Sequence, residues 1–356
     1  MIRSIRRFGA LAIAGVVAAS LSTVSSTGTA IAEDNTDPII ASKKLLADPV
    51  APDGSKLVSG TVDGRNLTLQ VYSTAMGKNI TVKVQRPNDA SQSRPVLYLL
   101  NGAGGGTDMA TWWHNTNIGD FLATKDVNVV MPVGGAWAYY TDWKQDDPVL
   151  GRNEWKTFLL DELPPLIDPA LNTNGASAIA ANSMTATAVL QLAIAKPGFY
   201  QAVAGYSGCA QIADPIGKRF TKLVVETYGG GDVKNMYGDD DDPAWAANDP
   251  VINAEGLRGT RLFISDGSGL PGPHDHIGDP TMMNPTQMGL ANQMIVGGVI
   301  EAAINYCTHN LQNRLNDLNI PATFDFQPTG THSWGYWQDA FYRSWPTLAA
   351  GLSLPQ

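Results

Sequence analysis

Two short segments alternate apolar and polar residues, Leu67-Thr68-Leu69-Gln70-Val71-Tyr72 and Ile80-Thr81-Val82-Lys83-Val84, with Gly77-Lys78-Asn79 between them. A period of two with turn chemistry in the middle predicts an antiparallel hairpin. The next runs are denser: Val96-Leu97-Tyr98-Leu99-Leu100 and Val127-Asn128-Val129-Val130-Met131 read as strands buried on both faces. Glu154 to Leu163 has the pattern of an amphipathic helix. A strand ending near Asn182 and a helix starting at once after Ser183 follow. Ala202–Tyr206 and Arg261–Ser265 are further strands, a long helical stretch covers about Thr286 to Leu318, Ala322–Phe326 is a last strand, and a tryptophan-rich helix starts near Trp334. Strands alternating with helices after an antiparallel start predict an α/β fold with a mostly parallel sheet covered on both faces. Sites in such sheets lie beyond the carboxyl ends of the strands.

The ends and the charge narrow the picture. Arg3, Arg6 and Arg7 precede an apolar run from Phe8 to Leu21, and small residues close with Ala30-Ile31-Ala32, the order of a secretory signal over residues 1–32. Residues 33–60 read as a polar N-terminal arm and 61–356 as one catalytic domain, with no second apolar stretch of spanning length. Removing the leader leaves 21 basic against 33 acidic side chains and a net charge of −12, which disfavours nucleic acid and anionic membrane surfaces as partners. Cys209 and Cys307 form a disulfide in an exported chain, or stand as two buried thiols; their spacing does not suit zinc.

Candidate chemistry centres on Asn182-Ser183-Met184, where a strand turns sharply into a helix. A serine at such a turn presents its hydroxyl above the sheet edge. The flanks are Ala181 and Thr185 rather than glycines, so the motif is degenerate, and a helix N-cap is the alternative reading. His332, in the loop between the last strand and the last helix, is placed to take the serine proton. Chain order puts the acid between the two. Asp275 is preferred, with Asp266 in reserve, both in the loop Ser265–His276. Asn101-Gly102-Ala103-Gly104-Gly105-Gly106 follows a strand and offers backbone amides for an oxyanion, with the Ala103 and Met184 N–H groups as donors. Its spacing is not that of a dinucleotide fingerprint. His274-x-His276 is a rival metal pair without a third ligand, and Asp239–Asp242 is a solvated acidic loop or a calcium site. No cofactor and no metal are expected.

Several blocks together resemble one family. They include Leu97-Tyr98-Leu99-Leu100-Asn101-Gly102, Tyr140-Thr141-Asp142-Trp143, Asn182-Ser183-Met184, Asp242-Pro243-Ala244-Trp245 and Gly330-Thr331-His332-Ser333-Trp334. The chain is similar, from about residue 65 onward, to the mycolyltransferases: the antigen 85 proteins of mycobacteria and their corynebacterial-type relatives. The resemblance implies an α/β-hydrolase fold and a secreted, cell-envelope enzyme. Its substrates would be trehalose monomycolate as donor, and a second trehalose monomycolate or wall arabinogalactan as acceptor. Ser183 matches the family nucleophile and His332 the base. Gly267-Ser268-Gly269-Leu270-Pro271 matches the stretch before the family acid, which makes Asp275 the inferred acid. Ala103 and Met184 match the oxyanion positions. Trp334 matches a tryptophan at the sugar site, while Asn101 and Gly104 stand where the family has charged sugar contacts. Trp112, Trp113, Trp137 and Trp334 are candidate walls against water. A carboxylesterase using water as acceptor, and a non-catalytic adhesion protein of the same fold, are the alternatives.

Overall fold

The computed structural model describes residues 49–355. The leader 1–32 and the first part of the arm therefore lie outside the described residues. Nine strands form one sheet in the order β1-β2-β3-β5-β4-β6-β7-β8-β9. The strands are β1 (Lys56–Asp63), β2 (Asn66–Ser73), β3 (Lys78–Gln85), β4 (Arg94–Leu100), β5 (Asn128–Val133), β6 (Thr173–Asn182), β7 (Ala202–Tyr206), β8 (Arg261–Asp266) and β9 (Thr323–Phe326). β2 and β3 pair as the expected antiparallel hairpin, and β1, which begins inside the stretch read as an arm and runs past its end, joins them. From β5 to β9 every pairing is parallel.

Three helices pack around the carboxyl ends of the central strands: α1 (Met184–Ala195), α2 (Gly298–Asp317) and α3 (Trp334–Gly351). The side-chain alternation of β4 shows how the sheet is sandwiched. Val96, Tyr98 and Leu100 pack with Val189 and Leu192 of α1, whereas Leu97 and Leu99 join Phe341 and Trp345 of α3 on the other face. Ala178, Ala180 and Ala181 keep the centre of β6 thin. The long helical stretch expected over 286–318 is present, but a wider turn over Gln293–Gly297 separates a first helix, Gln287–Asn292, from α2.

Candidate active site

β6 ends at Asn182 and α1 begins at Met184, so one residue makes the reversal. That residue, Ser183, has φ 59° and ψ −136°, a conformation expensive for any side chain and tolerated where a site needs it. Its own N–H donates to Tyr206 O at 2.8 Å, which fixes the turn to the end of β7. Thr185, the β-branched departure from the usual motif, is fully buried and donates its hydroxyl to Asn101 O at 2.7 Å. It braces the glycine-rich loop against α1 instead of narrowing the site.

The Ser183 hydroxyl lies 2.8 Å from His332 Nε2. On the other side of the ring, His332 Nδ1 lies 2.8 Å from Glu301 Oε2. Because an ionised carboxylate only accepts, Nδ1 carries the hydrogen and Nε2 presents its lone pair to the serine. The carboxylate behind the imidazole is therefore Glu301 of α2, not Asp275. Glu301 is 1 % exposed. Its other oxygen, Oε1, accepts from the Ser207 hydroxyl at 2.6 Å and from Gly267 N–H at 2.8 Å.

Asp275 sits one layer away. Its Oδ1 accepts from Thr331 Oγ1 at 2.7 Å and Gln293 Nε2 at 2.9 Å, and its Oδ2 from Gly272 N–H at 2.8 Å and from the Tyr336 hydroxyl. It thus ties the β8 loop, the turn ahead of α2 and the residue next to His332 together without touching the imidazole. Asp266, the reserve acid, is buried at the end of β8 and accepts from Asn305 Nδ2 at 2.9 Å. Burial, with the nearby Glu301 carboxylate adding to it, pushes its pKa up to about 7.

Ala103 and Met184 line the same cavity as Ser183 and His332, and among the described residues neither amide donates to a protein acceptor. The cavity, of about 220 Å³, runs from this polar end into an apolar pocket walled by Phe220, Leu223, Val224, Ile300 and Ile304. Cys209 and Cys307 are disulfide-bonded beside it. Of the four candidate tryptophan walls only Trp137 lines this cavity, where its ring stacks on Tyr228 with centroids 6.1 Å apart. Trp334 is 4 % exposed and packed edge-on against Trp112 and Trp337, so it offers no open face to a sugar. Asn101 is likewise buried, its Oδ1 accepting from Trp112 N–H at 3.0 Å. Gly104 lies under the Asp108 carboxylate.

Neither stretch read as a metal alternative is assembled as a ligand set among the described residues. Both ring nitrogens of His274 are taken, by Asp279 at 2.7 Å and Asp339 at 3.0 Å. Burial works against a charge on this ring, but the two carboxylates outweigh it and raise its pKa. In the acidic loop Asp239, Asp240 and Asp242 pair with Lys234, Lys222 and Lys144. Among the described residues no group of three or more His, Cys, Asp or Glu side chains could hold a metal ion.

A family model described as Putative esterase matches residues 73–348. Diacylglycerol acyltransferase/mycolyltransferase Ag85A of Mycobacterium leprae is 31% identical over 290 residues, 79% of this chain and 81% of that one. The Ag85A protein of Mycobacterium tuberculosis H37Rv is also 31% identical, over 80% of both chains. The chain belongs to the mycolyltransferase family. The solved structure of Mycobacterium tuberculosis MPT51 shares the fold, with TM-score 0.64 and 23% identity over 79% of this chain and 96% of that one. So does an S-formylglutathione hydrolase from Agrobacterium tumefaciens, with TM-score 0.57 and 15% identity over 82% and 98%. The α/β-hydrolase fold expected from the resemblance is therefore present.

Within this member of the family, sequence reasoning missed Glu301 and Ser207. Glu301 had one signal: it is the single acidic residue between Asp279 and Asp317. A lone carboxylate in an apolar helical run calls for a buried partner. Ser207 had none, since a serine just past a strand is commonplace.

Proposed function

We propose that the protein is an exported acyltransferase that moves a mycolyl chain from trehalose monomycolate to a second trehalose monomycolate, or to wall arabinogalactan, through an acyl-enzyme on Ser183. The observation that carries this reading is the Ser183–His332–Glu301 alignment at the polar mouth of an apolar cavity. His332 Nε2 takes the Ser183 proton as Oγ attacks the ester carbon. The negative oxygen that forms is stabilised by the Ala103 and Met184 N–H groups, each worth about 3 kcal/mol in such a site. Collapse expels the donor sugar oxygen, which takes the proton from His332 and leaves the acyl chain on Ser183. A hydroxyl of the acceptor sugar then gives its proton to His332 and attacks the same carbon, and Ser183 Oγ recovers the proton. Glu301 stabilises the imidazolium formed in both halves. The apolar pocket suits an acyl chain, and the relatives carry the name mycolyltransferase. The leader-like N-terminus supports export.

The test is mass spectrometry of the intact protein after exposure to a trehalose acyl ester. An acyl adduct on Ser183 is expected, absent in Ser183→Ala, with diacylated trehalose as product. Free acid as the sole product would make the protein an esterase. No adduct and no labelling by a fluorophosphonate would remove the catalytic reading altogether.

A further inference from the structure

Three elements meet behind Glu301, and their hydrogen bonds can run in only one direction. Trp337 Nε1 of α3 lies 2.9 Å from Ser207 Oγ, at the end of β7. Ser207 Oγ in turn lies 2.6 Å from Glu301 Oε1 on α2. An indole N–H is a donor and nothing else. It therefore occupies a lone pair of the serine oxygen, and the single hydroxyl hydrogen of Ser207 is left to point at the carboxylate. From there the order is forced: Trp337 N–H to Ser207, Ser207 O–H to Glu301, His332 Nδ1–H to Glu301, Ser183 O–H to His332 Nε2.

The backbone is strained to make this contact. Ser207 has φ +54° although it is not a glycine. Its N–H donates to Ser265 O at 2.8 Å, which holds it between β7 and β8. The side chain is 3 % exposed and Trp337 is 6 % exposed, so water does not compete for either bond. The Trp337 ring also packs edge-on to His332, with centroids 4.9 Å apart at 86°. One indole thus bounds the imidazole directly and orders the hydroxyl that steers its carboxylate partner.

We infer that Ser207 is a positioning residue of the acyl-transfer reaction, and that Trp337 acts through it by fixing the direction of its hydroxyl. The inference rests on the function proposed above. With Ser207 donating, Glu301 has one oxygen committed to Ser207 and Gly267 and the other aimed at His332. Without it, the carboxylate keeps only the Gly267 N–H on that side and is free to rotate away from Nδ1.

The experiment uses the full chain and a short soluble ester, p-nitrophenyl butanoate, with kcat, KM and Tm measured for four variants. Ser207→Ala and Ser207→Gly are expected to lower kcat about tenfold to a hundredfold, the range for a hydrogen bond to a charged group, with KM unchanged within about twofold. Glycine accepts a positive φ without cost. Ser207→Gly loses the same two hydrogen bonds as Ser207→Ala but relieves the backbone strain, so its Tm lies above that of Ser207→Ala, and an equal loss of turnover in the two is not loss of fold. Trp337→Phe is expected to lower kcat by less, and the double variant Ser207→Ala/Trp337→Phe to match Ser207→Ala alone, because the indole has lost the group through which it works. Retention of kcat within twofold in Ser207→Gly overturns the inference. So does a Trp337→Phe effect that multiplies undiminished onto Ser207→Ala. Failure of the wild-type protein to turn over this ester, to form an acyl adduct with a trehalose ester and to react with a fluorophosphonate refutes the proposed function instead, and this inference with it.

Discussion

Replacing Glu301 by glutamine tests the assignment of the acid with almost no change in volume. The surroundings decide which way the new amide turns. Ser207 O–H and Gly267 N–H both point at Oε1 at 2.6 and 2.8 Å, so that side must remain an oxygen. The glutamine NH2 is then forced to face His332 Nδ1. An N–H there drives the hydrogen of the imidazole to Nε2, the nitrogen that must receive the Ser183 proton. Enforcing the wrong tautomer in a serine triad costs on the order of 10⁴ in kcat, equivalent to about 5 kcal/mol of barrier. Asp275→Asn is the matched control. Asp275 touches Thr331, Gln293, Gly272 and Tyr336 but not the imidazole, and its loss should cost less than about tenfold, the scale of one hydrogen bond. The assay is steady-state hydrolysis of p-nitrophenyl butanoate, read with the rate of fluorophosphonate labelling. A Glu301→Gln enzyme keeping a tenth of wild-type kcat, or an Asp275→Asn enzyme falling as far as Glu301→Gln, would refute the assignment.

Three other outcomes follow from the same geometry. Ser183→Gly should abolish acylation yet stabilise the fold by about 1–3 kcal/mol, because it releases the backbone at φ 59°; a lower Tm in calorimetry would contradict this. Opening the Cys209–Cys307 bond, which spans 98 residues, should cost about 2–5 kcal/mol, seen as a lower urea midpoint for Cys209→Ser/Cys307→Ser; an unchanged midpoint would count against it. Asp266, whose folded pKa is raised to about 7, contributes stability that is full below the unfolded value near 3.9 and is lost as pH rises through 7. The stability of Asp266→Asn relative to wild type should therefore grow between pH 4 and 7, by a few kcal/mol, and level off above; a difference independent of pH would exclude the raised pKa.

What the chain determines locally was legible from its pattern. Alternation marked β2 and β3, and dense apolar runs marked β4 and β5, because a strand buried on one face or on two leaves different residue periods. Ser183 and His332 stood out because each follows a strand end, where a parallel sheet opens to solvent. The disulfide had the right partners because only two cysteines exist. The acid was decided in three dimensions. Gly267 and Gly269 resemble a motif that precedes it, but their structural task is close packing. A Cβ on Gly269 would lie 2.3 Å from Gly298 O and 2.9 Å from Ala302 Cβ, and one on Gly267 2.5 Å from Gly330 O. Bare backbone at these points lets the start of α2 and the His332 loop close onto the end of β8. That closure carries Glu301, 31 residues before His332 in the chain, under the imidazole, and leaves Asp275 to hold the loops together. Which of two carboxylates meets a histidine is set by how near a helix can approach, and that distance is written in no local stretch of sequence.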